Sequence, residues 1–389
     1  MNMKFQGEFK PTYTHRFSTK WLLWFKKSNF YNFVDPSIKE AITIYLNAPT
    51  FEVFNKETKN LKAFQTKQIE AKQLYDELGA YLKQCNTVTP TTHECAKPHP
   101  FDASCCVISN HYDINGTPFE VHYDDPFTVD LLHHTIAQYT SKVTRAVPTR
   151  FYVYAKEDHL YLYKNEQLLT CVSKHEYHYI QGKFAMHLFC TIHDFNESDW
   201  IGTLHASTVA LNNKAMMLIG DSGSGKSTLT AILTASGFEL VADDLSPIHE
   251  KDAAVYYNPN GISIKKGAFD ILSPYYKAIK QLPTLTLSDY KGAIKYLPIP
   301  LPKNRSYPCN HMILVAYNDN ATTTLTKIPA DEALRVLIPE SWLSKESKHA
   351  KAFIAWLTTI QYYKLSYSNN KEAVARIKKL NQETIIETL

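Results

Sequence analysis

The chain has 389 residues, enough for two or three domains, and is 44% hydrophobic and 13% aromatic, which excludes an intrinsically disordered protein. Its 42 basic and 38 acidic side chains leave a net charge of +4, too mild and too dispersed for a nucleic-acid surface. No apolar run has membrane-spanning length and the segment 1–10 has no secretory signal, so a soluble cytoplasmic protein is expected.

The opening is aromatic, with Phe17, Trp21, Leu22, Trp24 and Phe25 close together. Asp35-Pro36 reads as a helix start, and Ile38, Ala41, Ile42, Tyr45 and Leu46 follow at helical spacing. Ala71, Leu74, Tyr75, Leu78, Tyr81 and Leu82 mark a second amphipathic helix. Residues 1–95 therefore read as a mainly helical region, suited to recognising a substrate or partner. A Thr-, Pro- and His-rich stretch, 86–104, reads as a long loop.

Seven cysteines, Cys85, Cys95, Cys105, Cys106, Cys171, Cys190 and Cys309, are odd in number and irregular in spacing, so free thiols are expected. Cys85, His93, Cys95, His99, Cys105 and Cys106 include zinc-ligand types. Without a CxxC or HxxxH pair they read as a loop rather than a metal site.

Residues 96–199 have strand texture. Phe119–Tyr123 alternates apolar and polar residues, while Arg150–Tyr154 and Leu160–Tyr163 are rich in aromatic and branched strand formers. Asn115-Gly116 reads as a hairpin turn, and one helix is expected near Phe127–Tyr139.

From Gly202 onward the pattern becomes strand–helix–strand: Ala215–Ile219 is a strand buried on both faces, Ser227–Ala235 a helix, and Phe238–Ala242 a second strand. A parallel βαβ unit follows from that order. Glycine is scarce, twelve residues in all, yet Gly202, Gly220, Gly223, Gly225 and Gly237 cluster here. Gly220-Asp221-Ser222-Gly223-Ser224-Gly225-Lys226-Ser227, followed by Thr228, matches G-x-x-x-x-G-K-[ST] between strand and helix. In such a loop the backbone N–H groups and the helix N-terminus cradle a triphosphate, which makes ATP the expected ligand. Lys226 would neutralise the β- and γ-phosphates and Ser227 would coordinate Mg²⁺. The second strand ends in Asp243-Asp244, a carboxylate pair facing the phosphates, one to serve the metal and the other to accept a hydroxyl proton.

Taken together, His205, GDSGSGKS and Gly237–Asp244 resemble the HPr kinase/phosphorylase family, whose core is related to phosphoenolpyruvate carboxykinase. Residues 329–334 and 363–367 resemble that family's closing helix and last strand. The resemblance implies an α/β P-loop kinase domain over 200–389, preceded by a β-rich companion. It implies Asp244 as general base, His205 as an active-site histidine beside it, and Asp243 as supporting acid and metal ligand. Ser263-Ile264-Lys265-Lys266-Gly267 stands where the bifunctional enzymes carry Glu-Ile-Arg-Gly, and Thr228 where they carry an acid. These departures point away from HPr and from phosphorolysis, and toward the relatives that phosphorylate a serine of a precursor peptide or free L-serine. The implied protein is an ATP- and Mg²⁺-dependent serine kinase acting on a peptide or small protein, in a homo-oligomeric family. A small-molecule kinase and a nucleotide-binding regulator are the alternatives. A cation is needed opposite the transferring phosphate. Arg305 is the expected clamp, with Lys291 and Lys295 as alternatives.

Overall fold

The structure, a computed structural model, describes residues 9–59, 61, 70–88, 99–142, 147–287 and 292–386. Tyr13–Phe17 (β1), Lys20–Phe25 (β2) and Phe30–Val34 (β3) form an antiparallel sheet, so the N-terminal region is not mainly helical at its start. Ser18 and Asn29 take positive φ in the two turns, and the Asn29 carboxamide oxygen accepts the Trp24 indole N–H at 2.9 Å. Period-two alternation buries both faces of this sheet. Leu23 and Phe25 face helices Pro36–Asn47 (α1), Phe51–Thr58 (α2) and Ala71–Cys85 (α3) through Ala41, Tyr45, Phe54, Leu74 and Leu78. Leu22 and Trp24 face the opposite way, into the core that holds Met217, Leu334 and Phe353.

The next unit runs Ile108–Ile114 (β4), Thr117–Tyr123 (β5), Pro126–Ile136 (α4), Arg150–Lys156 (β6), His159–Lys164 (β7), Gln167–Ser173 (β8) and Tyr177–His193 (α5). Its strands lie in chain order, with β5 and β6 parallel and the other pairs antiparallel. Asn115 and Gly116 both have positive φ in the β4–β5 turn, the requirement of a type I′ hairpin. The expected helix is α4, started by the Asp125 capping box. A second helix, α5, was not expected. It buries Ile180, Phe184 and Leu188 on the sheet side but also Met186, Phe189 and Cys190 in a second cluster with Trp200, and so lacks a clear polar stripe.

Cys171 on β8 is disulfide-bonded, which corrects the all-thiol expectation, while Cys85, Cys105, Cys106, Cys190 and Cys309 are free. Spacing alone does not reveal which cysteines a sheet brings into bonding reach. His93 and Cys95 lie outside the described residues, and no metal-holding group of three or more His, Cys, Asp or Glu occurs among the described ones.

Trp200–Leu204 (β9), Ser207–Leu211 (β10), Lys214–Ile219 (β11), Lys226–Ala235 (α6), Glu239–Ala242 (β12) and Ser246–His249 (β13) follow. Val255–Tyr256 (β14), Ile262–Lys265 (β15), Ile294–Leu297 (β16), Ser306–Tyr307 (β17), Cys309–Tyr317 (β18) and Thr324–Lys327 (β19) come next. The chain closes with Ala330–Leu337 (α7), Trp342–Leu343 (β20), Ser347–Thr359 (α8), Gln361–Tyr367 (β21) and Asn370–Ile386 (α9). The central sheet has the order β12-β10-β11-β18-β21-β19. Strands β11, β18 and β21 are parallel. Because β10 is antiparallel to both β11 and β12, the strands flanking α6 run in the same direction with β10 between them.

Alternation along β11 sends Ala215, Met217 and Ile219 toward α7 and α8, and Met216 and Leu218 toward α6 and α9. That two-sided burial accounts for its unbroken apolar run. A second sheet, β17-β14-β13-β9-β20, packs beside it. No helix among the described residues is long and apolar enough to cross a membrane.

Candidate active site

The site lies at the carboxyl ends of β11 and β12. Strand β11 stops at Ile219, residues 220–225 form the loop, and α6 starts at Lys226. Glycine is required at both ends of this loop. At Gly220, with φ +150°, a Cβ would stand 2.7 Å from Ser224 Oγ and 2.9 Å from the Val315 carbonyl. At Gly225, with φ +93°, it would stand 3.2 Å from the Tyr367 hydroxyl. Asp221, Ser222 and Gly223 are exposed at the loop tip, and Ser227 and Thr228 lie in the first turn of α6. Ser224 Oγ is buried with no hydrogen-bond partner among the described residues.

Lys226 is only 9% exposed, and its ammonium donates to the carbonyls of Gly220 at 2.6 Å and Asp221 at 3.1 Å. Burial lowers its pKa, while the charges of Asp244, Asp243 and Asp221 oppose that shift. A phosphate chain in the loop would supply the missing counter-charge.

The two acids have different surroundings. Asp243 is buried and accepts hydrogen bonds from Ser207 Oγ at 2.5 Å, Ser227 Oγ at 3.3 Å and the Ser263 backbone N–H at 3.1 Å. Burial pushes its carboxyl up to about 6, the neighbouring Asp244 charge adds to the rise, and the three donors oppose it. A buried carboxylate beside a serine hydroxyl is a pair of hard oxygen ligands, and magnesium characteristically takes one or two protein oxygens with phosphate and water completing its shell. The residues present therefore fit that ion, with Ser227 and Asp243 as the ligands.

Asp244 is 62% exposed, and its Oδ1 lies 3.2 Å from Nδ1 of His205. It holds φ +68°, an unfavourable backbone for a residue with a side chain, of the kind that concentrates at functional sites. His205 is fixed by its position between β9 and β10 and by its backbone N–H, which donates to Ser341 Oγ at 3.1 Å.

The expected clamp is placed elsewhere. The Arg305 Nε–H donates to His193 Nδ1 at 3.1 Å, and the guanidinium lies 4.6 Å from the Phe195 ring centre and 5.8 Å from that of Tyr256. Its position before β17 carries it into this aromatic cluster, away from the loop. Lys295 is buried, with its ammonium donating to the carbonyls of Ile279 and Lys280. Lys291 lies outside the described residues.

Besides Lys226, Lys265 at the end of β15 reaches the loop among the described residues, its Nζ donating to Ser222 Oγ at 3.1 Å. Ser207, Ser263 and Lys265 are the site residues that sequence reading missed. The only signal was that Ser263 and Lys265 stand in the stretch compared with Glu-Ile-Arg-Gly. Tyr296, paired with Ser263 across β15 and β16, has its hydroxyl pKa raised by burial first and then by the Asp244 charge.

No family model matches the chain, and no curated protein matches it. Among solved structures it is similar to the Hpr(Ser) kinase/phosphatase from Coxiella burnetii, at 13% identity and a TM-score of 0.23, over 48% of this chain and 95% of that one. A likeness this distant assigns no residue a role, so the chemistry rests on the geometry above.

Proposed function

We propose that the chain is an ATP-dependent kinase that transfers the γ-phosphate to a serine hydroxyl of a peptide or small protein. The observation that carries the reading is the division of the acid pair across the mouth of the glycine loop. Asp243 is buried on Ser227, and Asp244 is open to solvent on His205.

In this mechanism the loop N–H groups and Lys226 hold the triphosphate. Ser227 and Asp243 hold magnesium, which when bound neutralises charge on the β- and γ-phosphates. Asp244 accepts the acceptor's hydroxyl proton as the serine oxygen bonds to the γ-phosphorus and the bridging oxygen leaves with ADP. His205 orients the Asp244 carboxylate. Lys265, rather than Arg305, supplies positive charge beside the transferring group.

The 62% exposure of Asp244 supports a polymeric acceptor, since a kinase for a free amino acid needs walls around so small a substrate. Phosphate transfer from radiolabelled ATP, measured in parallel with a serine peptide library and with free serine, tests the assignment. Label on peptide serine is the expected result. Label on free serine alone would move the acceptor to the small-molecule class.

A further inference from the structure

We propose that Tyr317 is the stacking platform for the purine base of the nucleotide, an inference that rests on the kinase reading above. The sheet order supplies the direction. The acids follow β12, two strands to one side of β11, whereas β18 and β21 lie on the other side. A triphosphate in the loop with its γ end at Asp243 and Asp244 must send its nucleoside over the ends of β18 and β21.

Those strands end in Tyr317 and Tyr367. Tyr317 is 44% exposed, although it ends the largely buried strand β18. It adjoins the loop: its backbone N–H donates to the Ser224 carbonyl at 3.4 Å, and its Cβ lies 3.4 Å from where a Gly225 Cβ would stand.

The ring is also held in place. Tyr367, itself buried, meets it edge-on at 5.3 Å and 72° and blocks its collapse into the core. The Tyr317 hydroxyl donates to Asp319 at 2.7 Å, and Asn318 N–H donates to the Tyr367 carbonyl at 3.0 Å. An aromatic ring fixed at its edge and tip, with exposed surface beside a phosphate-binding loop, is pre-organised to stack on a planar base. Among the described residues the remaining large exposed apolar side chains lie on other elements, none of them following a strand into this loop.

The test is calorimetric titration of wild type, Tyr317→Ala and Tyr317→Phe with Mg-ATP and, separately, with inorganic tripolyphosphate. Loss of one base–aromatic stack should weaken ATP binding by about 5- to 150-fold in Tyr317→Ala. Tripolyphosphate binding should be unchanged in that variant, which also establishes that it folds, and Tyr317→Phe should bind ATP like wild type. Unchanged ATP affinity in Tyr317→Ala, or parallel loss of tripolyphosphate, would overturn the platform. If wild type binds neither ligand, the kinase reading fails and this inference with it. If wild type binds both equally tightly, only the platform fails.

Discussion

His205 Nδ1 lies 3.2 Å from Asp244 Oδ1, and it reaches that carboxylate from a different strand connection, with its own backbone tied to Ser341. In the proposed mechanism this contact gives His205 the part of a positioning residue for Asp244 rather than a ligand of the nucleotide. His205→Ala is expected to lower kcat by about 10- to 100-fold while leaving KM for ATP unchanged. Steady-state kinetics at varied ATP separate that outcome from a rise in KM, which would place His205 on the nucleotide.

Lys265 and Arg305 should behave oppositely. Removing the Lys265 ammonium from Ser222 is expected to cut transfer by about a hundredfold, the usual consequence of losing one group aimed at developing charge. Arg305→Ala should leave transfer intact and lower stability by about 1–2 kcal/mol, because it removes a hydrogen bond to His193 and the contacts with Phe195 and Tyr256. Denaturant unfolding and the transfer assay on the same two variants decide the matter.

The same His193 gives a pH dependence. It is buried, donating from Nε2 to the Tyr257 carbonyl at 2.8 Å while Nδ1 accepts from Arg305, so both nitrogens are committed to the neutral ring. Burial first, then the charges of Arg305 and His249, depress its pKa to about 4, against the opposing hydrogen bond to Tyr257. A depressed folded-state value means the contribution is complete above the unfolded value of about 6.5 and is lost as pH falls toward about 4. That loss is on the order of 2–3 kcal/mol. Melting temperatures should drop across this window in wild type and drop less in His193→Gln.

The N-terminal sheet is integral to the main core. Trp24 is fully buried with Met217 and Leu334, and Tyr31 meets Phe353 edge-on at 5.7 Å. Trp24→Ala should therefore cost about 3–5 kcal/mol in the unfolding of the whole chain. A separate early transition confined to the N-terminal region would contradict this.

What the sequence disclosed follows from how local each signal is. The loop, its helix and Asp243-Asp244 lie within 25 consecutive residues (220–244) in a strand–helix–strand pattern, so both motif and context could be read directly. Ser207, Ser263 and Lys265 reach the site from β10 and β15, through strand pairing and packing that no short window contains. Arg305 is the only arginine between Arg150 and Arg335 in the sequence, and such scarcity says nothing about which way its side chain points. Lys20–Phe25 buries alternate residues in two different cores, so its apolar run lost the alternation that marks a half-exposed strand. Its flanking turns use Ser18 and Asn29 in left-handed backbone without a glycine to announce them.

The central claim is that Asp244 removes the acceptor's proton while the glycine loop and Lys226 hold the nucleotide. Its most direct test is Asp244→Asn, measured for Mg-ATP binding by calorimetry and for transfer from radiolabelled ATP to peptide serine. The account predicts wild-type ATP affinity, with transfer reduced by about 10²- to 10⁴-fold. Transfer at the wild-type rate would contradict it.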